Sequence, residues 1–441
     1  MGLATDGTGN LYVSASLYNS TDFGSGSVSS AGGADLVVAK LDPASGNATW
    51  TKPFGDAQDQ IAGGVAVSHS GQVAAIGTFT GSITAGNTIT NSDSNAIDFI
   101  LALDNNAGTA LWAKPVNTKF GTLLAIGGNP ARDEFVVCGY TAPCTDPNNP
   151  ACTGAMTDLG VAGYVNSETD PGTSLPVYLE DIFIAKLNSA TGAVVWAKQF
   201  GGAGSQVCSA VTMDSSGNVF ATGYYNGTPG FGTGMPSFTD YTILALWVAK
   251  FDTATGAAIT AKSYGGFSKQ FPKGIAVDSS GNVAMTGNMK ASLVFGPKTL
   301  TSAGSTDGFL AKLDPSLDPL WANRWGDAAA QEGHAVAFQS NGDILVVGQM
   351  RGTAIFGSTT LVTTGTGSTD AYWARFSSDG SSNGCAAMRY GDVLSQSADS
   401  LIIGNSGALY VAGFSKGTID FGNGKSLTSV DSNGFVVQIG P

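Results

Sequence analysis

The chain is poor in charge, and that scarcity limits what it can do. Asp, Glu, Lys and Arg make up 12% of its 441 residues, about half the share of an ordinary soluble protein. Lys plus Arg number 20 against 33 Asp plus Glu, a formal net charge of −13, and no basic cluster occurs anywhere. A phosphate backbone needs a lysine and arginine footprint, so a nucleic-acid partner is excluded. An anionic membrane surface is disfavoured for the same reason. No run of 18 apolar residues exists to span a bilayer as a helix. Histidine is nearly absent, with only His69 and His334. The start, Met1-Gly2-Leu3-Ala4-Thr5, shows neither a charged leader nor an apolar one and already lies inside a repeat.

Glycine is abundant, with 62 residues and no Gly-X-Y period. It sits with Ser, Thr and Asn between short apolar runs, the profile of many short strands joined by many turns. Four blocks recur in fixed order. The clearest copy is Gly274-Ile275-Ala276-Val277-Asp278, the turn Ser279-Ser280-Gly281-Asn282, Val283-Ala284-Met285-Thr286-Gly287, then Gly308-Phe309-Leu310-Ala311-Lys312-Leu313-Asp314, and last Leu320-Trp321-Ala322-Asn323-Arg324-Trp325-Gly326. The glycine closing the second block returns at Gly77, Gly139, Gly223, Gly287, Gly348 and Gly413, with Ala15 in the first copy. The period is roughly 60 to 65 residues, broken once by an insertion at 141–180.

Four short strands cannot bury both faces of their sheet alone, so each unit must stack on its neighbours. A closed ring solves this and leaves only short protected edges. The expected architecture is all-β: one seven-bladed β-propeller over 1–441, built from mostly four-stranded antiparallel blades. Approximate divisions are 1–62, 63–122, 123–208 with the insertion 141–180, 209–273, 274–333, 334–397 and 398–441. The last copy ends at Phe435-Val436-Val437-Gln438-Ile439 without a fourth block, so blade 7 is expected to lack its outer strand. Either it stays three-stranded, or a Trp-Ala-Lys-like strand precedes residue 1 in a longer protein. The second option is favoured by a glutamine that precedes the closing glycine by 17 residues in five copies, Gln60, Gln206, Gln270, Gln331 and Gln396. Thr122 stands there in the third copy, and the first copy's equivalent falls before Met1.

The blocks Gly-Ile-Ala-Val-Asp-Ser-Ser-Gly-Asn-Val (274–283), Phe-Leu-Ala-Lys-Leu-Asp (309–314) and Trp-Ala-Lys-Gln-Phe-Gly-Gly (196–202) resemble those of the SBBP, or bacterial beta-propeller repeat, proteins. The resemblance covers the chain apart from 141–180. It implies a secreted or cell-surface protein and lends no active site.

Candidate functional residues follow from position. The five glutamines are expected in rim-to-hub loops, either satisfying loop backbone groups or ringing a channel mouth to hold water, a cation or a sugar. His334 lies at the same mouth, and His69 in a turn on the opposite face. Lys40, Lys186, Lys250 and Lys312, with Arg375, recur after the third block and are expected to cover apolar surface with their stems. Trp50, Trp112, Trp196 and Trp321 are expected to pack between blades, while Trp247, Trp325 and Trp373 are alternatives as sugar platforms. Asp22-Phe23-Gly24 and Asp420-Phe421-Gly422, with the Phe-Gly pairs at 231, 295 and 356, read as loop anchors. Asp146, Asp158, Glu168, Asp170, Glu180 and Asp181 make the insertion acidic. Of these Asp146, Asp158, Asp170, Glu180 and Asp181 are candidate calcium ligands; no other cofactor is expected. Cys144 and Cys152 are expected to form a local disulfide, placing the protein in an oxidising compartment. Cys138 and Cys208 are either a bridge between neighbouring blades or two small buried hydrophobes.

The leading functional expectation is a non-enzymatic binding or scaffold propeller, outside the cell or on its surface, recognising a glycan, a matrix component or a protein. The alternative is a secreted polysaccharide lyase or hydrolase with its site beside the insertion, using His334, Arg351, Tyr178 or Tyr225.

Overall fold

In the computed structural model the described residues are 1–92, 94–116, 121–129, 131–141, 159, 180–232, 241–381, 385–422 and 424–440. In blades 1, 4 and 5 the inner hairpin turn is held by an aspartate. Asp278 Oδ1 accepts from the Ser280 and Asn282 amides at 2.9 and 2.8 Å, and its Oδ2 accepts from Asn282 Nδ2 at 2.7 Å. Gly281 turns the corner at φ +82°, where a Cβ would be strained. Asp6 and Asp214 bind Asn10 and Asn218 in the same way.

Strands flanking these turns form seven antiparallel sheets. Blade 1 comprises Gly2–Thr5, Leu11–Leu17, Asp35–Leu41 and Ala48–Phe54, from innermost to outermost. Blade 2 opens with Gln60–Val67, blade 3 with Gly121–Gly128, blade 4 with Gln206–Met213, blade 5 with Gln270–Val277, blade 6 with Gln331–Phe338 and blade 7 with Gln396–Ile403. The divisions expected from the repeat fall a few residues inside these innermost strands. Blade 4 carries an extra short strand, Gly202–Ala203, against the end of Val219–Pro229. Blade 7 has three strands, Gln396–Ile403, Leu409–Asp420 and Ser426–Ile439.

The second-to-third connections of blades 1, 2, 5 and 6 are themselves small hairpins, such as Ser292–Phe295 with Lys298–Thr301. The end of each connection meets the next blade. The Gln60, Gln206, Gln331 and Gln396 amides donate to the carbonyls of Ala34, Glu180, Thr306 and Thr369. The described ends of the insertion, Thr141 and Glu180, therefore lie on the same face as the starts of the innermost strands.

Seven apolar clusters occupy the seven seams between blades. One holds Leu36, Val38 and Trp50 of blade 1 against Phe79 and Phe99 of blade 2. Another, Leu3, Leu11 and Val13 with Tyr410 and Ala412, joins blade 1 to blade 7 and closes the ring. Each Leu or Phe buried in a seam contributes on the order of 1.5–3 kcal/mol, and it is buried only because the neighbouring blade is there. Between blades 3 and 4 the seam is also covalent. Cys138 and Cys208 form a disulfide with Cα atoms 5.8 Å apart, which decides between the two readings of that pair. Cys144 and Cys152 lie outside the described residues.

Candidate ligand-binding site

Every innermost strand from blade 2 to blade 7 breaks its pairing at the same place. The register shifts between Ala62 and Gly64, Leu123 and Ala125, Cys208 and Ala210, Pro272 and Gly274, Gly333 and Ala335, and Ala398 and Ser400. Each shift is a β-bulge, which re-aims the extra residue out of the sheet. The extra residues are Gly63, Leu124, Ser209, Lys273, His334 and Asp399. In blade 1 the first pairing, Gly2 with Ser14, puts Met1 at the equivalent position. These seven residues line one central channel cavity of about 320 Å³.

The ring is chemically divided. Gly63 and Leu124 are uncharged, whereas Lys273, His334 and Asp399 sit on three consecutive blades and belong to a bonded row. Lys273 Nζ lies 2.5 Å from Glu332 Oε2, which lies 3.2 Å from His334 Nε2. His334 Nδ1 is 3.2 Å from Asp399 Oδ1, and Ser397 Oγ donates to the same Asp399 oxygen at 2.5 Å. The His334 bond and the Lys273 cation hold Glu332 well below the usual carboxylate range, against the cost of burial. Burial opposes a charge on His334, yet its bonds to Asp399 and Glu332 outweigh that and raise its pKa. Asp399 is burdened by burial but lowered by His334 and Ser397. The result is an ordered series of alternating charges on one wall of the channel.

This geometry bears on the enzymatic alternative. A nucleophile relay places serine on one imidazole nitrogen and a carboxylate on the other. Here Glu332 faces Nε2, while Nδ1 is shared between Asp399 at 3.2 Å and Ser397 Oγ at 3.3 Å, and the Ser397 hydroxyl makes its shorter bond, 2.5 Å, to Asp399. Tyr225 is fully buried in the seam between blades 3 and 4, Arg351 is exposed outside the channel row, and Tyr178 lies outside the described residues.

The five glutamines do not line the channel. Gln60, Gln206, Gln270, Gln331 and Gln396 are completely buried. Gln60 Nε2 donates to Asp56 Oδ1 at 3.0 Å and to the Thr80 carbonyl at 2.8 Å, and its Oε1 accepts from the Asp56 amide. Gln331 with Asp327, and Gln396 with Asp392, repeat the clip. Where Gly202 and Gly266 replace the aspartate, Gln206 and Gln270 keep bonds to the Asn226 and Ser292 carbonyls, while their Oε1 atoms meet no donor. In blade 3 the pairing of Gly121 with Thr141 matches that of Gln60 with Phe79, so Gly121, rather than Thr122, holds the glutamine position.

The lysines reach further than their own blade. Lys40, Lys186 and Lys312 donate to the carbonyls of Asn105, Thr253 and Ser378 in the next blade. Lys186 is fully buried and pairs with Glu134 at 2.7 Å. Trp247 and Trp325 are enclosed in seams and are not sugar platforms, and Trp373 is half-buried with Nε1 on Tyr390 Oη at 3.3 Å. A buried aspartate lies at the start of the third strand in five blades, Asp35, Asp98, Asp181, Asp307 and Asp370, of which sequence reasoning singled out Asp181 alone, and as a calcium ligand. Arg324 and Arg389 bind Asp307 and Asp370 from the outer strand.

On the acidic insertion, Glu180 and Asp181 are described. Burial raises the Glu180 pKa, and the Asp181 carboxylate accepts from Gln199 Nε2 at 3.1 Å. Asp146, Asp158 and Asp170 lie outside the described residues. Among the described residues no group of three or more His, Cys, Asp or Glu is placed to hold a metal, and no helix is long and apolar enough to cross a membrane.

Comparison with known proteins places this geometry in context. Residues 195–231 match the family model for the beta-propeller repeat SBBP. The regulatory protein FlaEY of Caulobacter vibrioides is 29% identical over 163 residues, which span 36% of this chain and 17% of that protein. The RRP9 WD40 repeats superpose with a TM-score of 0.44 at 10% identity, covering 92% of this chain and 91% of theirs. The Dos1 propeller gives 0.42 at 8% identity, covering 93% and 88%. The chain is a seven-bladed β-propeller that carries the SBBP beta-propeller repeat at residues 195–231.

Proposed function

We propose that this propeller is a non-enzymatic binding module, working outside the cell or on its surface, and that its ligand docks at the channel mouth on the face of the insertion. The observation that carries the proposal is the bonded row Lys273–Glu332–His334–Asp399, four ionisable side chains from three blades, of which Lys273, His334 and Asp399 line one cavity. Such a row offers donors and acceptors in alternation, as the hydroxyls of a glycan or the polar side chains of a protein loop require. Opposite it, Met1 and Leu124 supply apolar contact. The disulfide supports an oxidising compartment. Calcium held by the acidic insertion belongs to the same proposal and predicts a lower melting temperature in EDTA.

The test is a screen of soluble glycans and surface proteins for binding, with reducing ends and unsaturated sugar products followed in parallel. Saturable binding without product supports the module. Product release that depends on His334 would overturn it in favour of the polysaccharide-active reading.

A further inference from the structure

Three blades hold a buried aspartate in one repeated frame. Asp35, Asp307 and Asp370 open the third strands of blades 1, 5 and 6 and are 0–2% exposed. A glycine just past the outer strand and the clipped glutamine of the next blade complete the frame. A Cβ at Gly55, Gly326 or Gly391 would meet the glutamine Oε1 at 2.2–2.3 Å and the aspartate Oδ1 at 2.4–2.8 Å. One backbone amide donates to each aspartate Oδ2, from Ala31 at 2.9 Å, Ala303 at 3.0 Å and Thr364 at 3.3 Å.

Blades 5 and 6 place a cation in this frame. Arg324 pairs with Phe309 and Arg389 with Tyr372, each two residues beyond the aspartate. From there Nη1 reaches the aspartate Oδ2 and also donates to the glycine carbonyl, at 3.2 Å for Gly326 and 3.1 Å for Gly391. The two arginine side chains are 33% and 25% exposed, so the cation's place borders solvent. In blade 3 the same strand position, opposite Phe183, holds Gln199, whose amide donates to Asp181 Oδ2 at 3.1 Å.

Blade 1 has the acceptors and no donor from its outer strand. The matching residue, opposite Val37, is Pro53, which is exposed and has no side chain that can reach the carboxylate. Asp35 keeps the Ala31 amide on Oδ2, and its Oδ1 meets no donor. Arg389 leaves Asp370 Oδ1 equally unmet, so blade 1 differs in charge rather than in the count of hydrogen bonds on that atom. Burial raises the Asp35 pKa against the Ala31 bond, the Asp56 charge adds to the rise, and no basic group opposes it. An ionised carboxylate held out of water without a counter-charge is costly, and a cation brought to it offsets that cost.

We infer that Asp35 and the Gly55 carbonyl form a binding site for the guanidinium group of a ligand, seated where Arg324 and Arg389 place theirs in blades 5 and 6. A guanidinium presents several N–H donors in one plane, and so serves a carboxylate and a neighbouring carbonyl together, which a single ammonium point charge does less well. Neither Asp35 nor Gly55 lines the channel cavity, so the site stands or falls independently of the channel row.

The probes are acetyl-Gly-Arg-Gly-amide, free arginine, and the same peptide with citrulline, which keeps the shape of arginine and lacks its charge. Each is titrated into isotope-labelled protein while the Ala31 and Gly55 amide resonances are followed. The inference expects saturable shifts at both amides with the arginine peptide and at least tenfold weaker binding of the citrulline peptide. Tighter binding of the peptide than of free arginine assigns a polypeptide source for the guanidinium; equal binding assigns a small guanidine. Pro53→Arg is expected to abolish binding and to raise the melting temperature, because the chain then supplies the cation itself. Asp35→Asn is expected to abolish binding as well. The comparison of peptides on unaltered protein covers the case in which a variant folds poorly. No saturable shift, equal binding of the citrulline peptide, or undiminished binding to Pro53→Arg would overturn the inference. So would calcium chloride producing the same shifts at lower concentration than the arginine peptide, since the site would then belong to a metal ion.

Discussion

The Trp196 indole lies against Gly256 of the following blade and donates its Nε1–H to the Thr253 carbonyl 3.0 Å away. That carbonyl also receives Lys186 Nζ at 3.0 Å, so two side chains from blade 3 converge on one turn of blade 4. Trp196→Ala is expected to lose about 3–5 kcal/mol, the range for emptying a packed indole site. Trp196→Phe keeps most of the packing and leaves the carbonyl satisfied by Lys186, so about 1 kcal/mol is expected. Denaturant unfolding of the two variants distinguishes them; equal losses would mean that the hydrogen bond, rather than the packing, pins the blades.

Lys186 tests the same seam from its polar side. Its ammonium is fully buried between Glu134, Thr253 and the Gly217 carbonyl. Lys186→Met leaves the Glu134 carboxylate facing a buried apolar group and is expected to cost about 3–5 kcal/mol. Adding Glu134→Gln removes the stranded charge and is expected to recover part of the loss. A double variant no more stable than the single would contradict this reading of the pair.

Removing the Cys138–Cys208 bridge by Cys138→Ala with Cys208→Ala is expected to cost about 2–5 kcal/mol, since it frees a loop of 70 residues in the unfolded chain. Both residues are fully buried, so dithiothreitol is expected to act only slowly on the folded protein. A melting temperature unchanged by the double substitution would contradict a stabilising bridge.

The channel row makes stability depend on pH in both directions. Glu332 and Asp399 are depressed below their ordinary values of 4.5 and 3.8, so their contribution is complete above those values and is lost as pH falls through the folded-state pKa values. His334 is raised above 6.5, so its contribution is complete below 6.5 and is lost as pH rises through the folded-state pKa. Melting temperature is therefore expected to be highest between about pH 4.5 and 6.5. His334→Gln is expected to remove the alkaline decline attributable to this group; a decline of undiminished size would assign it elsewhere.

The repeat, the seven blades and the missing outer strand of blade 7 were readable because apolar blocks recur with their turn residues, as in Val277-Asp278 through Asn282-Val283. Of the channel wall, only His334 was. Its residues share a backbone position, the bulge, and no chemistry: Gly63, Leu124, Ser209, Lys273, His334 and Asp399 have nothing in common as letters. The conspicuous periodic letter, the glutamine three residues earlier, proved to be buried in loop clips. The regularity that sets the backbone is uniform, whereas the residues that distinguish this propeller break the repeat. Two signals were present and unused. Aspartate opens the third block at 35, 98, 181, 307 and 370, and each pinned tryptophan is answered by a glycine in the next copy. Thr122 was misplaced because the inner turn of blade 3 is one residue longer than that of blade 2.

The most direct test compares the two ends of the molecule. Once a glycan or protein ligand is found by screening, its dissociation constant is measured for the unaltered protein, for Lys273→Ala and Asp399→Ala in the channel row, and for His69→Ala in the turn on the far face. Binding at the channel mouth predicts at least tenfold weakening for both row variants and an unchanged constant for His69→Ala. Equal affinities throughout, or weakening confined to His69→Ala, would contradict it.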